Sequence, residues 1–143
     1  MGRRRGGERT QTCTVDQARA RLDHARKFLE VAELTAGETG DAEYASAAAA
    51  VAVLAGIAAS DAACCAAIGR RSRGEDHRDA VRLVEQIAPG GSAAAKALRR
   101  LLSLKNEAHY GFFDVGGQDL KAALRQARIL VDFAIDVIGR RPG

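Results

Sequence analysis

A chain of 143 residues has room for one hydrophobic core and is too short for two ordinary domains. Aromatic residues make up only 4%, Pro89 and Pro142 are the only prolines, and Ala, Leu and Arg predominate, a mixture that favours helix over sheet throughout. The net charge of +4 sits at the ends, on Arg3, Arg4, Arg5 and Arg9 against Glu8 and on Arg140 and Arg141, so the body is near neutral and offers no broad DNA-binding face.

Residues 1–13 carry no apolar periodicity and read as a basic arm without fixed structure. Thr14 opens the first helix, with Gln17 three positions on to complete a capping box. Ala18, Leu22, Ala25, Leu29 and Ala32 recur at three- and four-residue spacing and form its inward face, and Gly37 stops it. A second helix is expected from about Asp41 to Ile68, closed by Gly69. Its middle, Ala45 to Ala59, is apolar on every side, as in a helix surrounded by others. Gly69 to Gly74 reads as a basic loop. A third helix runs from roughly Glu75 to Ala88, with Ala80, Leu83, Val84 and Ile87 on one face, and Pro89-Gly90-Gly91 ends it. Ser92 caps a fourth helix that reaches at least Asn106. Gly111 to Gly117 is a loop, and a fifth helix spans about Asp119 to Ile138. The expected fold class is all-α: an antiparallel four- to five-helix bundle over 14–139, followed by a basic tail at 140–143.

The cysteines are Cys13, Cys64 and Cys65. An odd count with an adjacent pair matches neither a disulfide framework nor a metal-ligand spacing, so buried free thiols in a reducing compartment are expected, with no metal and no cofactor. Polar residues follow Arg3–Arg5 where a signal peptide would be apolar. Tyr44 to Ser60 is uncharged but Ala-rich, at the short limit for a membrane span, and ended by Asp61, which suits a buried central helix better. The expectation is a cytoplasmic protein with no membrane partner.

In the fourth helix Ala97, Leu101, Leu104 and Ala108 form one apolar stripe. Leu98, Leu102, Lys105 and His109 run beside it, so Lys105 and His109 are i,i+4 neighbours, as are Asn106 and Tyr110. A purely structural account of these polar residues is that Lys105 and His109 complement the partial negative charge of a helix C-terminus. Arg70, Arg71 and Arg73, with His77 and Arg78, form a second candidate group, suited to phosphate near a helix N-terminus or simply a solvated loop. Asp61 interrupts a buried helix and needs a partner, with an ion pair or hydrogen bond as the expected answer. His24, between Asp23 and Arg26, reads as surface.

The run Leu104-Lys105-Asn106-Glu107-Ala108-His109-Tyr110-Gly111, followed by a loop and a final amphipathic helix, resembles the C-terminal half of a HEPN domain. The N-terminal layout is similar too: Ala25-Arg26-Lys27-Phe28-Leu29 in one helix, then an Ala-rich helix holding Tyr44, then a loop and His77. Members with the full motif resemble metal-independent endoribonucleases, often toxins, that dimerise so that two motifs share one cleft. The resemblance implies His109 as general acid or base and Lys105, where the family has Arg, stabilising phosphoryl charge. It implies Asn106 orienting the scissile phosphate and Tyr110 supporting the histidine. A homodimer, an RNA or nucleotide ligand and an antitoxin-like protein partner are implied as well. The resemblance equally allows a non-catalytic HEPN-like module that binds nucleic acid, nucleotide or a protein partner.

Overall fold

The structure, a computed structural model, describes residues 9–37, 42–73, 77–110 and 116–140, with the side chains of 42 and of 105–110 outside that description. The protein is an all-α bundle of five helices: α1 (Val15–Ala36), α2 (Ala42–Ala67), α3 (Arg78–Glu85), α4 (Gly91–Tyr110) and α5 (Gly117–Gly139). Two short strands, β1 (Thr10–Thr12) and β2 (Arg70–Ser72), add a small ribbon at one end.

α1 starts where its cap dictates. Thr14 Oγ1 accepts from the Gln17 backbone N–H at 3.0 Å, and Gln17 Oε1 accepts from the Thr14 N–H at 2.9 Å, which satisfies two donors that a bare helix end would leave without partners. The expected apolar stripe is the buried one, Ala18, Leu22, Ala25, Leu29 and Ala32. It packs on α2, the central element, which also touches α5 and α4. α2 is less enclosed than its sequence suggests. Ala48, Ala49, Ala52 and Val53 are buried, but Leu54 is 46% exposed, because among the described residues no other helix covers that edge. Among the described residues Glu43–Ala67 is long and apolar enough to cross a membrane, and 72% of that stretch is buried inside the bundle.

Helix directions follow from two close contacts. A Cβ on Gly56 would run into Leu101 of α4 and come within 3.1 Å of Leu130 of α5, so Gly lets three helices meet at that level. Gly90, ahead of α4, lies under Phe133, further along α5, so α4 and α5 run antiparallel. At its own start α4 leans on α3: a Cβ on Gly91 would sit 2.5 Å from the Val84 carbonyl oxygen. α3 in turn contacts β2, which follows the C-terminus of α2. α4 therefore descends from the C-terminal end of α2 towards its N-terminal end.

Three expectations are corrected. The arm over 1–13 is not structureless at its end, since Thr10–Thr12 pairs antiparallel with Arg70–Ser72 in the register Thr10↔Ser72, Gln11↔Arg71, Thr12↔Arg70. Residues 1–8 lie outside the described residues. The basic loop after Gly69 (φ +80°) is that second strand, because the α1–α2 hairpin brings the two segments alongside and their backbone groups find partners in each other. The third helix is also shorter than expected, Arg78–Glu85 against Glu75–Ala88, with Gln86 at its C-cap; residues 74–76 lie outside the description. The fourth and fifth helices match their expected extents to within two residues where these were given, and the buried apolar residues described form one cluster.

Candidate functional site

The ribbon packs against α2, whose C-terminus leads into β2, and against α3. Cys13 N–H donates to the Gly69 carbonyl at 2.9 Å, Arg73 N–H to the Arg9 carbonyl at 3.0 Å, and Arg9 N–H to Asp79 Oδ2 of α3 at 3.1 Å. A covalent tie joins these contacts: Cys13 and Cys65 form a disulfide with Cα atoms 5.3 Å apart, across 52 residues of sequence. The expectation of three free thiols is therefore wrong. The antiparallel hairpin of α1 and α2 brings the residue before α1 level with the end of α2, a proximity that cysteine spacing does not reveal. With the bond formed, free thiols no longer argue for a reducing compartment. Cys64 stays reduced and buried. Burial, with Asp61 beside it and Arg70 opposing, pushes its thiol up to about 12, so it is not a thiolate that would attack the neighbouring disulfide.

Between α1 and the ribbon lies a cavity of about 430 Å³ lined by Gln11, Thr12, Cys13, Gln17, Arg21, His24, Cys65 and Arg71. Gln17, Arg21 and His24 stand at i, i+4 and i+7 on one face of α1. Arg71 reaches it from β2, and its guanidinium is held by Gln11 Oε1 and by the Ser72 carbonyl oxygen, each at 3.2 Å. Behind Arg21 sits Asp61, whose carboxylate oxygen is 3.7 Å from the Arg21 Nε. This is the partner that the buried position demanded. Burial pushes the Asp61 carboxyl up to about 6, while the charges of Arg21 and Arg71 and the bond to Arg21 pull the other way. The site thus holds two guanidinium groups against one carboxylate.

Of the sequence-predicted residues, Arg70, Arg71 and Arg73 come together on β2 and its edge, and His77 caps α3 with Arg78 as its first residue, all at the ribbon end. Arg71 alone among them lines the cavity. His24 is exposed, as expected, yet it lines the same cavity. Lys105, Asn106, His109 and Tyr110 lie on the last two turns of α4, and their side chains fall outside the described residues. The backbone path places them at the other end of the bundle. Counting 1.5 Å per residue from the Gly56–Leu101 level in both directions, that run and the ribbon are roughly 25 Å apart along the axis. The two predicted groups do not form one site within one chain. Arg21 and the disulfide were not singled out from sequence, and Gln17 was read only as a capping residue. The signal for Arg21 was its i+4 and i−3 relation to Gln17 and His24. Among the described residues no group of His, Cys, Asp and Glu is arranged to hold a metal.

No protein-family model matches the chain, and no curated protein matches it.

Proposed function

We propose that this chain is a HEPN-like module that binds RNA, with its ribbon end as the electrostatic contact and Lys105–Tyr110 as the candidate cleavage motif. The observation that carries the reading is the gathering of Arg9, Arg70, Arg71, Arg73, Arg78 and Arg82 at one end of a body that is otherwise near neutral. Arg73 and Arg78 are exposed there, while Asp79 neutralises Arg82 at 2.8 Å. Arginine suits a phosphate backbone because its planar fork grips two oxygens at once. The separation of roughly 25 Å between the two ends corresponds to about seven phosphates at 3.4 Å per strand residue, so a short single strand could touch both. As in the HEPN arrangement, two copies would bring two His109-bearing motifs to one cleft, and a protein partner of antitoxin type would mask them. An RNA ligand keeps the cytoplasmic reading, where disulfides are transient. The arginines of β2 and α3 lie on chain that the Cys13–Cys65 bond does not directly hold.

The test is fluorescence anisotropy with a labelled single-stranded RNA across a salt series, together with a cleavage assay on wild type and His109→Ala. Affinity should fall steeply with salt. Arg73→Gln and Arg78→Gln should each flatten the slope by about 0.7, the value of one single-strand phosphate contact. Salt-independent binding, or none, refutes RNA recognition. Cleavage that survives His109→Ala refutes the role of that histidine.

A further inference from the structure

The cavity between α1 and the ribbon has a chemical bias that its charge alone does not convey. Both of its glutamine carbonyl oxygens are already engaged: Gln17 Oε1 accepts from Thr14 N–H, and Gln11 Oε1 accepts from the Arg71 guanidinium. Each amide also keeps its NH2 group, a donor. Arg21 and Arg71 carry donors only, and the His24 ring carries an N–H in either protonation state. Among the described residues the lining side chains are rich in donors and include no carboxylate. Asp61 is buried behind Arg21 and is matched by the charges of Arg21 and Arg71. Arg71 is moreover held in place by Gln11 and Ser72, which lowers the entropy cost of gripping a ligand. Donors converging on a polar cavity walled on one side by a disulfide are what a tetrahedral oxyanion requires. The volume of about 430 Å³ exceeds that of a bare phosphate and falls in the range of small-molecule sites.

We infer that this cavity is a binding site for a phosphate monoester of about nucleotide size, with Arg21 and Arg71 gripping the phosphate and His24, Gln17 and Gln11 completing its donor shell. It does not rest on the RNA reading: a free nucleoside monophosphate and the 5′-phosphate of an RNA present the same group.

Isothermal titration of the full-length, non-reduced chain with adenosine monophosphate, inorganic phosphate and adenosine tests it. Adenosine monophosphate and phosphate should compete for one site, and adenosine should not bind. Arg71→Gln and His24→Ala should each weaken binding by about tenfold, the loss of one hydrogen bond of a strength between the neutral and charge-assisted ranges. His24 is exposed on α1, so its variant keeps the fold even if Arg71→Gln loosens the ribbon. Arg73→Gln, outside the cavity, should leave adenosine monophosphate binding unchanged. Absence of binding by both phosphate and adenosine monophosphate overturns the site, as does binding that falls with Arg73→Gln and not with His24→Ala. A 5′-phosphorylated oligoribonucleotide that binds tighter than its 5′-hydroxyl twin supports the site with an RNA end as ligand. Equal affinity of the two, with adenosine monophosphate still bound, supports it with a free nucleotide. Loss of RNA binding alone would refute the proposed function and leave this site standing.

Discussion

Breaking the Cys13–Cys65 bond is the perturbation that tests the architecture of the ribbon end most directly. The bond spans 52 residues. In the chain-entropy account, closing a loop of that length removes about 4 kcal/mol of unfolded-state freedom at room temperature, a figure that residual structure in the unfolded chain reduces. For a chain of this size, each kcal/mol moves the melting temperature by about 2–4 °C, so the reduced protein should melt roughly 10 °C lower than the oxidised one. Cys13→Ala is the cleaner variant, because Cys13 is only partly buried whereas Cys65 is 4% exposed and its truncation would also leave a cavity. Cys64→Ser removes the free thiol and keeps the bond, so its melting temperature should still drop on adding reductant, whereas that of Cys13→Ala should not change. The assay is circular dichroism melting with and without a phosphine reductant, beside a thiol count on the unfolded, unreduced chain. One free thiol and a drop on reduction are expected. Three free thiols, or coincident melting curves, would refute the reasoning.

Other perturbations probe separate parts of the fold. Because the folded-state pKa of Asp61 lies above its ordinary value of 3.8, at about 6, the folded chain holds the proton more tightly than the unfolded one between those values. Its contribution is therefore complete below about pH 4 and is lost as pH rises through about 6, a change on the order of 3 kcal/mol. Urea titrations from pH 4 to pH 7 should show that decline in wild type and a flatter profile in Asp61→Asn, and a matching slope in the variant would count against it. Thr14→Ala removes the acceptor of the α1 capping box and should cost about 1 kcal/mol in the same denaturation assay. Gly91→Ala would place a methyl 2.5 Å from the Val84 carbonyl oxygen, and the forced shift of α4 against α3 should cost about 1–3 kcal/mol. A neutral result there would mean that the α3–α4 junction is looser than described.

Much of the secondary structure could be read locally because its causes are local. The stripe Ala18–Leu22–Ala25–Leu29–Ala32 is buried as its spacing requires, and the Thr14–Gln17 box needs only its own turn. The third helix was overextended because helix propensity continues past Glu85, whereas the turn at Gln86–Gly90 is set by where α4 must begin on α3. Of the two candidate groups, the arginines after Gly69 were legible as a cluster but not as a strand, since their hydrogen-bonding partners lie about 60 residues away. The site described here was the least legible, because it joins one face of α1 to a ribbon and to the end of α2.

Composition and periodicity alone thus determined an all-α bundle, the inward faces of its helices and the need of Asp61 for a partner. Those properties depend on residues a few positions apart, which the helix itself brings together. Tertiary structure decided what long-range closure controls. It paired Cys13 with Cys65, turned a basic loop into half of a ribbon, and set Arg21 and Arg71 across one cavity. It also placed that cavity at the far end of the bundle from Lys105–Tyr110. Each of these depends on the direction and register of packed helices, and a one-dimensional pattern does not encode them until the hairpin of α1 and α2 is closed.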